Sequence, residues 1–248
     1  MRVPMPLRPG SWLAASAIVI CGGCGRTPAA DPFVMPQSLF YQRVDTIVVT
    51  TVSLPEGVEA SDSVLTWFED LIEATLRGAG FTVVPVQEYV DIWNRITEEA
   101  GGFFDPFTGE RDELRYEAGV AELFDELEQR FTPDAILYPE LWIVEAPTSG
   151  GYARWDGTSE KVSISWESMV LALSLAVVLQ DMEGAELYAN VWGLEVLEVY
   201  DRTAGEFLPV PSEDLFADPV RDSTAVMKVL DPLIKRPAQS TEPAPMQR

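Results

Sequence analysis

The sequence predicts an α+β fold, a single domain in which a mixed sheet is covered by helices, and three observations predict it. The first is the stretch from Met169 to Tyr200. Large side chains fall on odd positions (Leu171, Leu173, Leu175, Val177, Leu179) with smaller ones between, a period of two that reads as a strand covered on both faces. Asp181-Met182-Glu183-Gly184 supplies turn chemistry, and a second apolar run from Ala185 to Tyr200 closes an antiparallel hairpin. The second observation is a strand, an amphipathic helix and a strand within residues 46–86, a βαβ unit whose strands run parallel with a right-handed crossover. The third is a set of further helical stripes placed to cover that sheet.

In chain order, Thr46 to Leu54 reads as a β-branched strand. Ser61 or Asp62 caps a helix with Val64, Phe68, Leu71, Ile72 and Leu76 on one face, and Gly78 and Gly80 end it. Phe81 to Val86 is a short strand, followed by a helix over Gln87 to Ile96 with Tyr89, Ile92, Trp93 and Ile96 inward. An aromatic loop, Gly101 to Gly109, leads to a helix over Asp112 to Phe131. Tyr116, Val120, Leu123, Phe124, Leu127 and Phe131 form its stripe. Ala135 to Val144 is the third strand, and Pro139 inside it implies an edge position or a bulge. Ala146 to Thr158 reads as a loop. Glu160 to Ser168 is expected to pair onto the hairpin, with a break near Ser168 where the apolar parity changes. Asp218-Pro219 opens a last helix with Val226, Val229, Leu230 and Leu233 buried and Pro232 kinking or ending it.

The net charge of −23, from 40 acidic against 17 basic residues, repels phosphate backbones and argues against nucleic-acid binding. With 47% hydrophobic residues the chain can bury a core of its own, so the acidity is not that of a disordered protein. There is no histidine, which removes Ser-His and Cys-His chemistry and the commonest zinc ligand.

The first residues carry a leader pattern: Arg2 and Arg8, then an apolar run from Ser11 to Ile20 too short to span a bilayer. Cys21-Gly22-Gly23-Cys24-Gly25 follows and resembles a bacterial lipobox, with Cys24 at the lipidated position and Cys21 where that motif usually has leucine. The resemblance implies a signal peptide over 1–23 and a lipid-attached tether over 24–44. The globular domain then spans 45–235, with a disordered polar tail over 236–248. It also implies an acyl anchor in the bilayer, with Gly25 directing the protein to the periplasmic face of the outer membrane. A redox Cys-x-x-Cys belongs at a helix N-terminus after a strand, which is not where this pair lies.

Val48-Val49, "LRGAGFTVVP" (Leu76 to Pro85), "PDAILYPELWIV" (Pro133 to Val144) and "LQDMEGAELYAN" (Leu179 to Asn190) carry a further resemblance. It is to the envelope lipoproteins that share the α/β domain of the curli secretion channel lipoprotein, the penicillin-binding-protein activator lipoproteins and the TolB N-terminal domain. No enzymatic residue set travels with that family. It implies a scaffold or an assembly, often a ring, that binds other envelope proteins or itself.

Four groups of residues are candidates for chemistry. Phe103, Phe104 and Phe107 form a candidate interface, or else fold back over an open sheet edge. Asp105, Glu110, Asp112 and Glu113 lack the spacing of a calcium loop, and acids gather at a helix start for its dipole alone. Ser149-Gly150-Gly151 and Trp155-Asp156-Gly157 lack the lysine and the helix of a phosphate cradle. Glu195 and Glu198 are near enough in sequence to act as an acid–base pair, which a chain so rich in acids also yields by chance. The expectation is a non-enzymatic, lipid-anchored partner-binding protein with no metal or cofactor. The alternatives are an exported carboxylate-based hydrolase and a small-molecule-binding auxiliary lipoprotein of a transporter.

Overall fold

A computed structural model describes residues 31–236; the leader, Cys24 and the tail from residue 237 lie outside them. The long hairpin organises the sheet. Strand β6 (Ser168–Asp181) and strand β7 (Glu186–Val196) pair antiparallel around the turn ending in Gly184, whose φ of +86° needs a residue without a Cβ. On its other side β6 pairs along its whole length with β3 (Ala135–Ser149). Strands β1 (Thr46–Val49) and β2 (Thr82–Val84) add in parallel, so the main sheet runs β2-β1-β3-β6-β7.

Helices cover both faces. Helices α1 (Gln37–Arg43), α2 (Asp62–Gly78) and α5 (Pro219–Ile234) bury Phe40, Phe68, Ile72, Leu76, Val226 and Leu230 against the odd-numbered side chains of β3 and β6. Helices α3 (Val86–Glu99) and α4 (Glu113–Phe131) bury Ile92, Trp93, Ile96, Leu123 and Leu127 against the opposite face. Each fully buried Leu or Ile contributes about 1.5–3 kcal/mol, so these two layers dominate the stability. The result is the mixed-sheet α+β domain that the periodicity implies. Among the described residues no helix is long and apolar enough to cross a membrane.

Several elements differ from the sequence reading, each for a physical reason. The strand expected to run to Leu54 ends at Val49. The chain then diverges from β3 and returns for one bridge, Ser53 to Glu140. That departure explains Pro139. Its carbonyl accepts from Ser53 N and Leu141 N donates to the Ser53 carbonyl, so the missing N–H falls where β1 has ended and a single bridge replaces the ladder. β3 is therefore interior over its first residues and an edge beyond them.

The stretch from Ala146 to Thr158 is not a loop. β3 continues to Ser149, turns at Gly150-Gly151 and returns as β4 (Tyr152–Trp155). The chain turns again at Asp156-Gly157 into β5 (Thr158–Lys161). β5 pairs with β4, not with the long hairpin, and the β4–β5 ribbon folds back over β7. There the indole of Trp155 donates to the Leu173 carbonyl, and Gly193 N–H donates to that of Asp156. Gly193 is where the two layers meet, since a Cβ there would lie 2.3 Å from Thr158 Cγ2. The break expected near Ser168 is present, since residues 162–167 belong to no strand and β6 begins at Ser168; within the hairpin the register shifts fall between Leu173 and Ser174 and between Leu179 and Gln180.

The expected tether over 24–44 is, from residue 31, part of the domain. Phe33 bridges to Tyr188, and Phe33 and Phe40 are buried together, 5.1 Å apart. After β7 the chain forms a small ribbon of its own, β8 (Glu198–Asp201) and β9 (Glu206–Pro209), before α5.

Candidate functional site

The aromatic loop is divided. Phe103 is buried, stacked on Trp93 at 5.0 Å and edge-on to Tyr116 at 5.7 Å, where Gly119 leaves room for its ring. It covers the α3–α4 layer and not a sheet edge. Phe104 is 52% exposed and Phe107 94% exposed. Between them the loop is closed by its own hydrogen bonds. Asp105 accepts from Phe107 N at 2.7 Å and Thr108 N at 2.9 Å, its backbone N donates to Glu110, and Phe104 bridges to Arg111. Those backbone donors, Thr108 first, hold the Asp105 carboxyl below the usual aspartate range. The loop thus presents two aromatic rings on a tied frame.

The acids beside that loop have local partners. Asp112 caps α4 by accepting from Arg115 N, and Glu113 pairs with Arg111. Among the described residues no group of three or more His, Cys, Asp or Glu side chains is placed to hold a metal ion.

Glu195 and Glu198 take separate partners. Glu195 is 3% exposed and accepts from Phe216 N at 2.9 Å and from Arg221 at 2.6 Å. Arg221 also reaches Asp222, 2% exposed, at 3.3 Å, and Glu160 nearby accepts from Val196 N. Burial raises the carboxyl pKa of Glu195, Asp222 and Glu160, and Arg221 offsets part of that for each. Glu198 instead accepts from Leu171 N at 2.9 Å. The Glu195 contact also fixes Phe216, a non-glycine residue held at φ +60°. What sequence reasoning missed here is Arg221: a lone basic residue in the first turn of α5 gives no sign that it meets β7. Beside it lies a cleft of about 260 Å³ lined by Ser63, Val64, Trp67, Phe216, Pro219 and Asp222.

Gly150-Gly151 and Asp156-Gly157 are the turns of the β3–β4–β5 meander. Cys24 lies outside the described residues.

No family model matches the chain, and no curated protein matches it. Among solved structures it is similar to the PelC dodecamer from Paraburkholderia phytofirmans at 12% identity. That match covers 79% of this chain and 91% of that one, with a TM-score of 0.34. A single-substitution form of the same dodecamer is similar at 13% identity over 78% and 91% of the two chains, again with a TM-score of 0.34. Likeness at that score carries no argument about what this chain does.

Proposed function

We propose that this is a lipid-anchored envelope protein without enzymatic activity, one that works by holding protein partners, itself included. The observation that carries this reading is the pair Phe104 and Phe107, kept outside on a loop whose third ring is buried. A loop backbone tied before binding loses little entropy on contact, and aromatic side chains dominate binding hot spots. The anchor rests on the Cys24 pattern and the scaffold role on the quoted family resemblance. The carboxylates nearest to a catalytic pair, Glu195 and Glu198, are spent on separate structural contacts.

The test is made in a diderm host with the full-length chain. Intact mass is expected to show an acylated N-terminus at Cys24, lost in Cys24→Ala. A photo-crosslinking amino acid placed at Glu110 is expected to trap discrete protein adducts that vanish when Phe104 and Phe107 are changed to Ser. An unmodified, soluble product removes the anchor; adducts indifferent to both phenylalanines remove the loop.

A further inference from the structure

The beginnings of two helices and one turn of chain enclose the cleft beside Arg221. Ser63, Val64 and Trp67 come from the first two turns of α2, Pro219 and Asp222 from the first turn of α5, and Phe216 from the segment between β9 and α5. The aromatic wall is fixed from behind. Phe68 packs edge-on against Trp67 at 5.1 Å and against Phe216 at 5.9 Å. Trp67 still keeps 36% of its surface exposed. Apolar walls with few polar groups among them are what small-molecule sites have in common.

One polar group in this wall is short of partners. Asp222 is almost wholly buried, yet it lines the cleft. Its Oδ1 accepts from Arg221 Nε at 3.3 Å, while Oδ2 accepts from no donor among the described residues. Arg221 is itself divided, since its Nη2 donates to Glu195 at 2.6 Å and its charge also acts on Glu160. Three carboxylates thus share one guanidinium in a place where little water reaches them. Burial raises the Asp222 carboxyl pKa, the sign of an anion whose lost solvation is only partly replaced. A cation that reaches Oδ2 from the cleft would replace more of it.

We propose that the cleft binds a small organic cation, a primary ammonium on an aromatic body, with the ammonium donating to Asp222 Oδ2 and the body against Trp67 and Phe216. The cleft of about 260 Å³ suits about ten non-hydrogen atoms, fewer than a drug-sized ligand has. Ser63, exposed at the lip, offers the ammonium a second acceptor. The open face of Trp67 attracts a cation on its way in. An anion is repelled by the same carboxylates. A bare metal ion would leave the apolar wall unused, and among the described residues no group of three or more His, Cys, Asp or Glu is placed to hold one. The site is separate from the aromatic loop, whose Phe103 packs into the layer on the other face of the sheet.

The test uses the full-length chain in mild detergent, isotope-labelled at tryptophan, with Trp67→Phe identifying the Trp67 indole signal in the magnetic resonance spectrum. Phenethylammonium is expected to shift that signal saturably, with a dissociation constant below about 1 mM. Phenethyl alcohol, the same body without the charge, is expected to bind at least tenfold more weakly. Asp222→Asn, close to the parent in shape, is expected to weaken phenethylammonium at least tenfold. Ser63→Trp fills the cleft from its exposed lip without touching the buried carboxylates, and is expected to abolish binding. An unchanged circular dichroism spectrum confirms the fold of each variant. The absence of a saturable Trp67 shift overturns the proposal, as does equal binding of the alcohol. Binding indifferent to both Asp222→Asn and Ser63→Trp overturns it too. A lysine-containing peptide that binds more tightly than phenethylammonium gives the cleft to a protein side chain and overturns the small-molecule assignment.

Discussion

Arg221 is the counter-ion of two carboxylates that have almost no access to water, Glu195 and Asp222. Removing it leaves both charges buried and uncompensated, so Arg221→Met is expected to cost about 3–5 kcal/mol in denaturant unfolding. The same cluster sets a pH dependence. Burial raises the carboxyl pKa of Glu195, Asp222 and Glu160 in the folded state, so between the unfolded value and the raised one the folded chain binds more protons. Stability is therefore fullest below the unfolded pKa and falls as pH rises through the folded values. Glu195→Gln is expected to flatten that slope in thermal melts at fixed high salt; a slope unchanged by the variant would place the proton elsewhere. A second residue-scale expectation concerns Gly119. Alanine there gains helix propensity, but its Cβ would lie 2.6 Å from the Phe103 ring, which Trp93 and Tyr116 flank. Overpacking of this kind costs about 1–3 kcal/mol, so Gly119→Ala is expected to lower the melting temperature despite the better helix former.

At the scale of elements, what was legible followed a repeating pattern, and what was not depended on distant contacts. Helices α3, α4 and α5 bury the stripes that period 3.6 assigns them, except that Phe131 at the end of α4 is only half-buried, and Asp218 caps α5 by accepting from Val220 N and Arg221 N. In α2 the buried face is rotated slightly, with Leu65 in place of Val64, and it includes two acids, Glu69 and Glu73. Those carboxylates accept from Val52 N and Val86 N, donors freed where β1 ends and where α3 begins. No pattern within α2 announces that use. The β4–β5 ribbon was illegible for a related reason: glycine-rich turns read as a loop, and docking against β7 makes the short strands persist. Gly157 concentrates that docking, with φ +78° and a Cβ position 2.5 Å from the Trp192 ring. Gly157→Ala is expected to speed hydrogen exchange over Thr158–Lys161 well beyond that of β6. Equal protection in both would mean that the ribbon is held from elsewhere. The candidate interface was legible as three aromatic residues, but their division was not. Phe103 is buried because Gly119 lies on the facing helix, a coincidence of two segments that no local signal carries.

At the scale of the whole molecule, the domain begins before the point where strand patterning starts. Asp31 to Val34 lie along β7, Pro32 accepting from Ala189 N and Val34 donating to Leu187, and the Phe33 ring packs edge-on against Phe40 and Tyr188, each 5.1 Å away. The stretch from Asp31 to Val44 reads as part of a tether because its two phenylalanines, Phe33 and Phe40, form no period. Its burial is decided by the free edge of β7, distant in sequence. The consequence reaches the proposed anchor. Seven positions separate Cys24 from residue 31, the first described, so an acyl group on Cys24 would have at most about 25 Å of chain to reach it. The domain would then be held close to the bilayer. Phe33→Ala removes a ring packed between two others, and is expected to cost about 3 kcal/mol in denaturant unfolding. It is also expected to open residues up to Gln37 to limited proteolysis while the sheet resists. A variant as stable and as resistant as the parent would show that Phe33 adds nothing to the core. The segment would then be free to act as the longer tether its composition describes.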